Sequence, residues 1–137
     1  MEIRNTVKEK INDPGTVAKI FSGILSAEDD LDRDKEHFWV AGLKTNNVIK
    51  YIELVSLGTL NASLVHPREI FRGAIQRGVA AILICHNHPS GKLQPSQADK
   101  SITSKLKIAG ETLDIKVLDH IIITENAYFS FADENIM

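Results

Sequence analysis

A short apolar run that is followed at once by a cluster of histidines is the feature that most constrains this chain. Residues 79–85 read Val-Ala-Ala-Ile-Leu-Ile-Cys, and polar residues come directly after them. A continuous apolar run of this length predicts a strand that is buried on both faces, as in sheets covered by helices. The segment that follows this strand is rich in histidine, proline and serine: His86-Asn87-His88-Pro89-Ser90-Gly91-Lys92-Leu93-Gln94-Pro95-Ser96-Gln97-Ala98-Asp99.

This segment has the residue types and the spacing of a metal site. Side chains two apart in extended chain point the same way, so His86 and His88 are expected to face one point. Pro95 and Ser96 are typical of a helix start and place Asp99 in the first turn. Two imidazoles and one carboxylate, with one position left open, are the pattern of a catalytic zinc site. With a single cysteine, the chain cannot form a metal site from several thiolates.

Each of these residues also has an ordinary structural explanation. Histidines beside a turn are often surface or capping residues, and Ser96 with Asp99 fits a capping box. The capping role of Ser96 is compatible with metal binding by Asp99. We interpret the combination of a buried strand, two histidines and a helix-start carboxylate as a metal site formed by His86, His88 and Asp99.

The motif resembles the JAMM signature of the JAB/MPN metalloproteases, and it is more similar to that of the bacterial RadC family. That family typically reads His-Asn-His-Pro-Ser-Gly, then Pro-Ser, then Asp. The resemblance covers about residues 30 to 132. Four further segments resemble RadC signatures in RadC order: Glu36-His37-Phe38, Gly58-Thr59-Leu60-Asn61, His66-Pro67-Arg68-Glu69 and Leu118-Asp119-His120-Ile121-Ile122.

The order of predicted elements indicates an α/β sandwich with a mixed central sheet flanked by helices. The resemblance implies the same architecture, the JAB/MPN-like (cytidine-deaminase-like) fold. We assign residues 1–30 to an N-terminal helical extension and residues 31–137 to a single RadC-type JAB/MPN domain. Full-length RadC proteins also carry an N-terminal helix-hairpin-helix region, for which this chain has no room.

Local patterns predict the individual elements. Helices are expected from Asp13-Pro14 to near Ser26, from Pro67 to Gly78 and from Pro95 to Gly110. Strands are expected at 38–43, 48–57, 79–85, 115–124 and 128–131, the first two being joined as a hairpin by a turn at 45–47. The remaining segments are expected to be a frayed or loosely helical stretch at 1–12, a solvated acidic connector at 28–34 and a loop at 60–65.

The resemblance implies a catalytic mechanism with a Zn²⁺ cofactor. Zinc lowers the pKa of a water molecule to about 7, but proton transfer still needs a base close to the metal. The family pattern places this glutamate just before the first hairpin strand, where Glu36 stands; without the family, a surface glutamate would be the simpler explanation. Two other glutamates are alternatives for this base. Glu53 is expected in the middle of a strand. Glu69 is expected in the first turn of a helix, where the helix dipole alone accounts for an acidic residue. Ser96 would help to stabilise the developing oxyanion, a contribution of about 3 kcal/mol.

The function that follows is a zinc-dependent hydrolase of the JAMM type that cleaves a peptide or isopeptide bond. Asn87 stands where many eukaryotic JAMM proteins have Ser or Thr, which argues against a ubiquitin-type substrate. One alternative is a non-catalytic accessory or DNA-binding module in DNA repair or recombination, since RadC proteins carry a DNA-repair label. A zinc-dependent nuclease is the other, because the ligands alone do not determine which bond is attacked.

Composition bears on the partners and the location. A net charge of -2 with scattered basic residues gives no basic face for nucleic acid. No apolar run approaches the roughly 20 residues of a membrane span, and no signal segment is present. We therefore expect a cytoplasmic protein that acts on a peptide or protein; the sequence leaves a homodimer open.

The other polar residues of these segments have simpler interpretations. His37 is expected to point away from Glu36, and His66 to be a loop or capping residue. Asp119 and His120 are interpreted as a satisfied pair in the core, with support of the metal ligands as the alternative. Cys85 faces away from His86 and is expected to be a small core residue.

Overall fold

The structure, a computed structural model, describes residues 2–3, 10–11, 13–58 and 65–137 of the chain. The signature residues 59–61 and nearly all of the loop expected at 60–65 lie outside this part, as do residues 1, 4–9 and 12. The strands are β1 (Glu2–Ile3), β2 (Glu36–Leu43), β3 (Ile49–Gly58), β4 (Ala81–Asn87), β5 (Lys116–Ile123) and β6 (Tyr128–Ser130). The helices are α1 (Pro14–Ser26), α2 (Asp30–Arg33), α3 (Pro67–Arg77) and α4 (Gln97–Leu113).

The six strands form one mixed sheet in the order β1-β3-β2-β4-β5-β6. Strands β4 and β5 are parallel, and the other neighbours pair in antiparallel fashion. A parallel pair cannot be joined by a tight turn and needs a crossover, which here contains α4. The crossover starts where the histidine motif leaves β4.

Helices cover both faces of the sheet and create two apolar clusters. Helix α1 packs on one face, where the ring of Phe21 lies 5.3 Å from that of Trp39. Helices α3 and α4 pack on the other face, where Phe71 and Leu106 meet the side chains of β2 and β4. The α/β sandwich with a mixed central sheet, as predicted, is confirmed. The helix assigned to an N-terminal extension supplies part of the core.

Helix termini follow the capping signals. The Asp13 side chain accepts a hydrogen bond from the Thr16 N–H at 2.8 Å and begins α1, as its position before Pro14 predicts. Gly78 ends α3 in the left-handed conformation, with φ of 68°, which a residue without Cβ adopts at little cost.

Several elements differ from the sequence prediction, and three of the differences have a clear physical reason. The helix expected to end at Gly110 continues to Leu113, because this glycine serves packing: a Cβ there would lie 2.3 Å from the carbonyl oxygen of Ile115. The acidic connector contains the short helix α2, since the Asp29 side chain caps it. Strand β4 ends at Asn87 and not at Cys85, because its pairing with β5 continues through the first residues of the motif.

Near the N-terminus, residues 2–3 pair with β3 instead of forming a frayed or helical segment. The Lys10 backbone also forms an isolated antiparallel bridge, to Val48. None of the helices in the described part of the chain combines the length and the apolar character that crossing a membrane requires.

Candidate metal centre

Three side chains converge at the carboxyl end of β4. His86 lies in β4, His88 follows that strand, and Asp99 lies in the first turn of α4. One ligand atom from each lies within 4.8 Å of the others. His86 and Asp99 are buried, and His88 is partly exposed. The three residues predicted from the motif are therefore brought together as a possible metal site.

The hydrogen bonds of His88 determine which of its ring nitrogens is free. Its Nδ1 atom lies 2.7 Å from the carbonyl oxygen of Lys92. A carbonyl oxygen can only accept, so Nδ1 carries the hydrogen and donates it. The Nε2 atom of His88 therefore has a bare lone pair, and it faces the other two side chains.

A chain of buried hydrogen bonds determines in the same way which ring nitrogen of His86 is free. The Thr103 hydroxyl lies 2.7 Å from the carbonyl oxygen of Asp99 and must donate to it. The Nδ1 atom of His120, 2.6 Å from that hydroxyl, must then be the donor of the second bond. The Nε2 atom of His120 is left as the acceptor for the His86 Nδ1–H at 2.7 Å. His86 thus presents a bare Nε2 as well.

Two bare ring nitrogens face one another across 2.9 Å, and both approach one carboxylate. The His86 Nε2 atom lies 3.4 Å from one oxygen of Asp99, and the His88 Nε2 atom lies 3.3 Å from the other. With both rings neutral, these acceptors would repel one another; a proton on a ring nitrogen, donated to Asp99, relieves the repulsion, and a metal ion among the three groups would do the same. Metal–ligand bonds of 2.0–2.1 Å in a tetrahedron separate neighbouring ligand atoms by about 3.3 Å. Both the donor set and its spacing therefore fit a small divalent cation.

Asp99 is held for this role by the start of its own helix. The Ser96 hydroxyl accepts from the Asp99 N–H at 3.0 Å, and an Asp99 side-chain oxygen accepts from the Ser96 N–H at 2.8 Å. The capping box is confirmed and coexists with the ligand position. Burial opposes ionisation, yet hydrogen bonds from His86 and His88 hold the Asp99 pKa well below its usual range. Asp99 is therefore a carboxylate at neutral pH.

His120 is a neutral imidazole at the centre of this arrangement. Burial, and then the charge that His86 can carry, place its pKa well below the usual value for histidine. The Phe131 ring stacks on it at 4.5 Å, and the Phe38 ring meets it edge-on at 6.0 Å. This packing holds the ring in the plane in which it accepts from His86.

Asp119 and His120 are both buried and hydrogen-bonded, as the interpretation as a satisfied core pair predicts, and the Asp119 carboxylate accepts from the His120 N–H at 2.7 Å. Their side chains nevertheless point to opposite faces of the sheet, because adjacent residues of a strand alternate. The Asp119 carboxylate accepts from the Ser130 hydroxyl at 2.6 Å and from the Ala132 N–H at 2.9 Å. It therefore anchors the turn after β6. The His120 side chain contacts the candidate ligand His86, which agrees with the alternative that the sequence left open.

Glu36 lies at the start of β2, on the strand that pairs with β4 through Phe38 and His86. Residues two apart in a strand share a face, so Glu36 lies on the same face as Phe38, whose ring stacks with that of His86. Hydrogen bonding to Asp99 is the main cause that raises the His88 pKa, and the negative charge of Glu36 adds to it. The glutamate side chain is thus close enough to act electrostatically on the cluster.

The remaining sequence candidates lie elsewhere. His37 is fully buried, and its ring stacks with Trp39 on the α1 side of the sheet. His66 occupies the N-cap position of α3 but makes no side-chain capping bond. Cys85 is a buried core residue, as predicted, and burial raises the pKa of its thiol well above the usual value. Glu53 lies in β3 and Glu69 in the first turn of α3, as predicted.

Thr103 is the residue of this site that the sequence analysis missed. It is buried and lies four residues after Asp99, on the same face of α4. A threonine at that spacing among Ile102 and Leu106, which are also buried, was the available signal. Such a polar residue in an apolar stripe needs a partner, and here the partner is His120.

Two open clefts flank the turn that follows the histidines. One, of about 420 Å³, is lined by Glu36 together with Pro89 and Ser90. The other, of about 500 Å³, contains His88 and extends along the end of α1 to Glu125. The candidate metal centre is therefore open to solvent from its motif side and closed by the core behind it.

Comparisons with known proteins identify the family of this chain. A family model described as RadC-like JAB domain matches residues 11–136. A UPF0758 protein of Chlorobaculum tepidum is 51% identical over 106 residues, which cover 77% of this chain and 48% of that protein. A UPF0758 protein of Chlorobium chlorochromatii is 42% identical over 134 residues, 98% of this chain and 58% of that protein.

A UPF0758 protein of Desulforudis audaxviator is 52% identical over 103 residues, 75% of this chain and 45% of that protein. The chain thus spans about half the length of the curated relatives that it matches. The names of these relatives state a family and no activity.

Proposed function

This chain belongs to the family of RadC-like JAB domains, and from that premise we propose that it is a zinc-dependent hydrolase of the JAMM type, which cleaves peptide or isopeptide bonds. One observation carries the proposal. In their neutral forms, His86 and His88 both hold their hydrogen on Nδ1, so both Nε2 lone pairs are directed to the same point beside Asp99.

Zinc is the cation that suits this donor set. Two imidazole nitrogens and one carboxylate oxygen, with space for a fourth ligand, are the composition of catalytic zinc sites, whereas structural sites close with four protein ligands. When bound, zinc would supply Lewis acidity and lower the pKa of a water molecule at the open position to about 7.

Glu36 is the proposed group for proton transfer. A hydrolase of this kind needs a side chain that takes a proton from water and passes it to the leaving amine. The support for Glu36 is its position on the face of Phe38 and His86, its electrostatic effect on His88, and the cleft that it lines. Its carboxylate would hold the proton between the two steps.

Ser96 is the proposed donor to the oxygen on which negative charge develops. Its oxygen accepts from the Asp99 N–H, which leaves its own hydrogen available for donation. The side chain is exposed at the start of α4 and is bonded to Asp99, one of the three proposed ligands. A donor fixed by a cap requires little reorganisation during the reaction.

The first experiment measures metal content and activity together. The protein is purified without a metal-affinity tag, and zinc is quantified in the wild type, in His88→Ala and in His66→Ala. We expect about one zinc per chain in the wild type and in His66→Ala, and loss of zinc in His88→Ala. The loaded protein and Glu36→Gln are then compared on peptide and isopeptide libraries, where only the wild type should cleave.

A wild type that binds no zinc would overturn the proposal and favour the accessory module of DNA repair or recombination. Cleavage of nucleic acid but not of peptides would instead assign the site to a nuclease. The charge balance of the chain supports neither of these, because binding to phosphates depends on a basic face.

A further inference from the structure

We propose that Asn87 is a positioning residue that fixes the direction in which Glu36 points, a role that rests on the proposed function of Glu36. Asn87 lies between the two histidine ligands in the sequence, yet its side chain has no place in the ligand set. It is almost fully buried, with 2% of its surface exposed. A buried amide needs partners for its hydrogen and its oxygen, and here both partners are backbone groups of the residues on either side of Glu36.

The two partners stand on either side of Glu36. The Asn87 Nδ2 atom donates to the carbonyl oxygen of Lys35 at 3.0 Å. The Asn87 Oδ1 atom accepts from the N–H of His37 at 2.5 Å. One side chain thus holds the peptide groups before and after Glu36, so the backbone of this residue has little freedom to rotate.

The Asn87 side-chain amide replaces backbone pairing at the point where β2 and β4 cease to pair. Pairing of β2 with β4 ends at Phe38 opposite His86. After Asn87, the His88 N–H bonds to the Ile123 carbonyl of β5 at 2.9 Å, and Pro89 has no N–H, so neither pairs with β2. The side chain of Asn87 supplies one donor and one acceptor, which is what a peptide group of the neighbouring strand would have supplied.

The direction of this contact matters for the chemistry. Asn87 lies on the α1 side of the sheet with Cys85, while Glu36 lies on the opposite side with Phe38 and His86. The amide therefore holds the backbone from behind and leaves the glutamate side chain directed to the ligands. A carboxylate or an ether could not replace it, because only an amide combines donor and acceptor at this length.

The test uses the full chain loaded with Co²⁺ in place of zinc, because the visible absorption of tetrahedral Co²⁺ reports on its surroundings. The pH midpoint of this absorption is compared among the wild type, Glu36→Gln, Asn87→Ala and their double variant. The dissociation constant for Co²⁺ is measured in parallel. Ser130→Ala is the matched control: it removes another buried side-chain hydrogen bond, 2.6 Å long and made to Asp119, in the edge strand β6, which pairs with neither β2 nor β4.

We expect Glu36→Gln to shift the midpoint and Asn87→Ala to shift it in the same direction. The double variant should add no further shift, since both changes remove one function. The Co²⁺ dissociation constant of Asn87→Ala should stay within about threefold of that of the wild type, a difference below 1 kcal/mol. Ser130→Ala should leave the midpoint at its wild-type value.

An unchanged midpoint in Asn87→Ala beside a shifted one in Glu36→Gln would overturn the role of Asn87 and leave that of Glu36 intact. An unchanged midpoint in Glu36→Gln would instead overturn the proposed role of Glu36, and that of Asn87 with it. Loss of Co²⁺ from a folded Asn87→Ala protein would show that Asn87 supports the ligands and not Glu36.

Two measurements keep the inference testable if Asn87→Ala does not fold. Asn87→Asp retains the acceptor for the His37 N–H and loses only the donor to Lys35; because it also adds a negative charge, it is compared by hydrogen exchange, and its His37 amide hydrogen should stay protected. In the wild type, the His37 amide hydrogen should exchange with solvent as slowly as that of Trp39, which lies within the ladder. Exchange at the rate of an exposed amide would contradict the contact itself.

Discussion

The Nδ1 atom of His86 and the Nε2 atom of His120 lie 2.7 Å apart, so one imidazole donates to another beside the candidate metal centre. Metal-binding histidines commonly donate to a carboxylate or a carbonyl oxygen. A neutral imidazole carries no full negative charge, so it withdraws less of the proton of His86. It fixes the orientation and the tautomer of His86 while leaving a bound cation more electron-poor than a carboxylate partner would.

We expect His120→Ala to weaken zinc binding by roughly 10- to 100-fold, the usual cost of losing the partner of a metal-binding histidine. The His86 ring would then lose the acceptor that sets its tautomer. Competition with a chromophoric chelator measures the dissociation constant. His120→Gln, which offers a carbonyl oxygen as acceptor, should retain more affinity than His120→Ala, and equal affinities of all three proteins would contradict the role of His120.

Thr103→Val should lower the free energy of unfolding by about 1–3 kcal/mol, because it leaves the buried His120 N–H without an acceptor. The exposed Thr112 offers a matched control, since its hydroxyl also donates to a carbonyl four residues earlier in α4. Thr112→Val should change the stability by less than about 0.5 kcal/mol. Urea unfolding of the metal-free proteins makes the comparison, and similar losses in both variants would refute the assignment.

Zinc should stabilise the folded chain against heat, because the three ligands come together only in the native state. At a free zinc concentration 100 times the dissociation constant, binding adds about 2.7 kcal/mol to the free energy of unfolding. Calorimetry with and without a chelator measures this difference. The Tm of Asp99→Asn should respond much less to zinc, and a wild-type Tm that is indifferent to zinc would argue against the site.

Ser96→Ala should cost stability and activity together. Loss of the cap of α4 lowers the free energy of unfolding by about 1 kcal/mol, and loss of the proposed donor lowers kcat by about 10²–10³. Asp13→Ala separates the two effects, since it removes the cap of α1, far from the ligands. It should lose similar stability and keep its activity; a Ser96→Ala protein as active as Asp13→Ala would exclude the proposed role.

Gly110→Ala should destabilise the fold by more than about 1 kcal/mol, because its Cβ would lie 2.3 Å from the Ile115 carbonyl oxygen. Gly23→Ala is the counterpart in α1, where a Cβ meets nothing within 4 Å. There the change should stabilise the protein by roughly 0.5–1 kcal/mol. Thermal unfolding of the two variants should therefore move in opposite directions, and equal shifts would contradict the packing role of Gly110.

The part of the site that could be predicted is the part that is local in sequence. His86, His88 and Asp99 lie on one short segment whose strand and helix signals fix their relative placement. The helix caps at Asp13 and Ser96 could be predicted for the same reason, because a cap involves residues only three apart in the sequence.

Partnerships across strands could not be predicted from the same patterns. The parallel register of β4 and β5 contains an irregularity between Ile82 and Leu83, and this register determines that His120 reaches His86. No local pattern reveals such a shift. Gly110 shows the same limit: a glycine late in a helix is typical of a stop signal, and only the tertiary approach of Ile115 shows that it serves packing.

The parallel pairing of β4 with β5 also determines the order in which the parts of the site come together during folding. The three ligands leave the ribosome close together, but His120 follows 34 residues after His86, beyond the whole of α4. Contacts between residues so far apart close slowly and only after the intervening helix has docked. A nascent chain therefore carries the three proposed ligands well before it acquires His120, the partner that orients His86, and we expect tight binding of the proposed metal to be a late step of maturation.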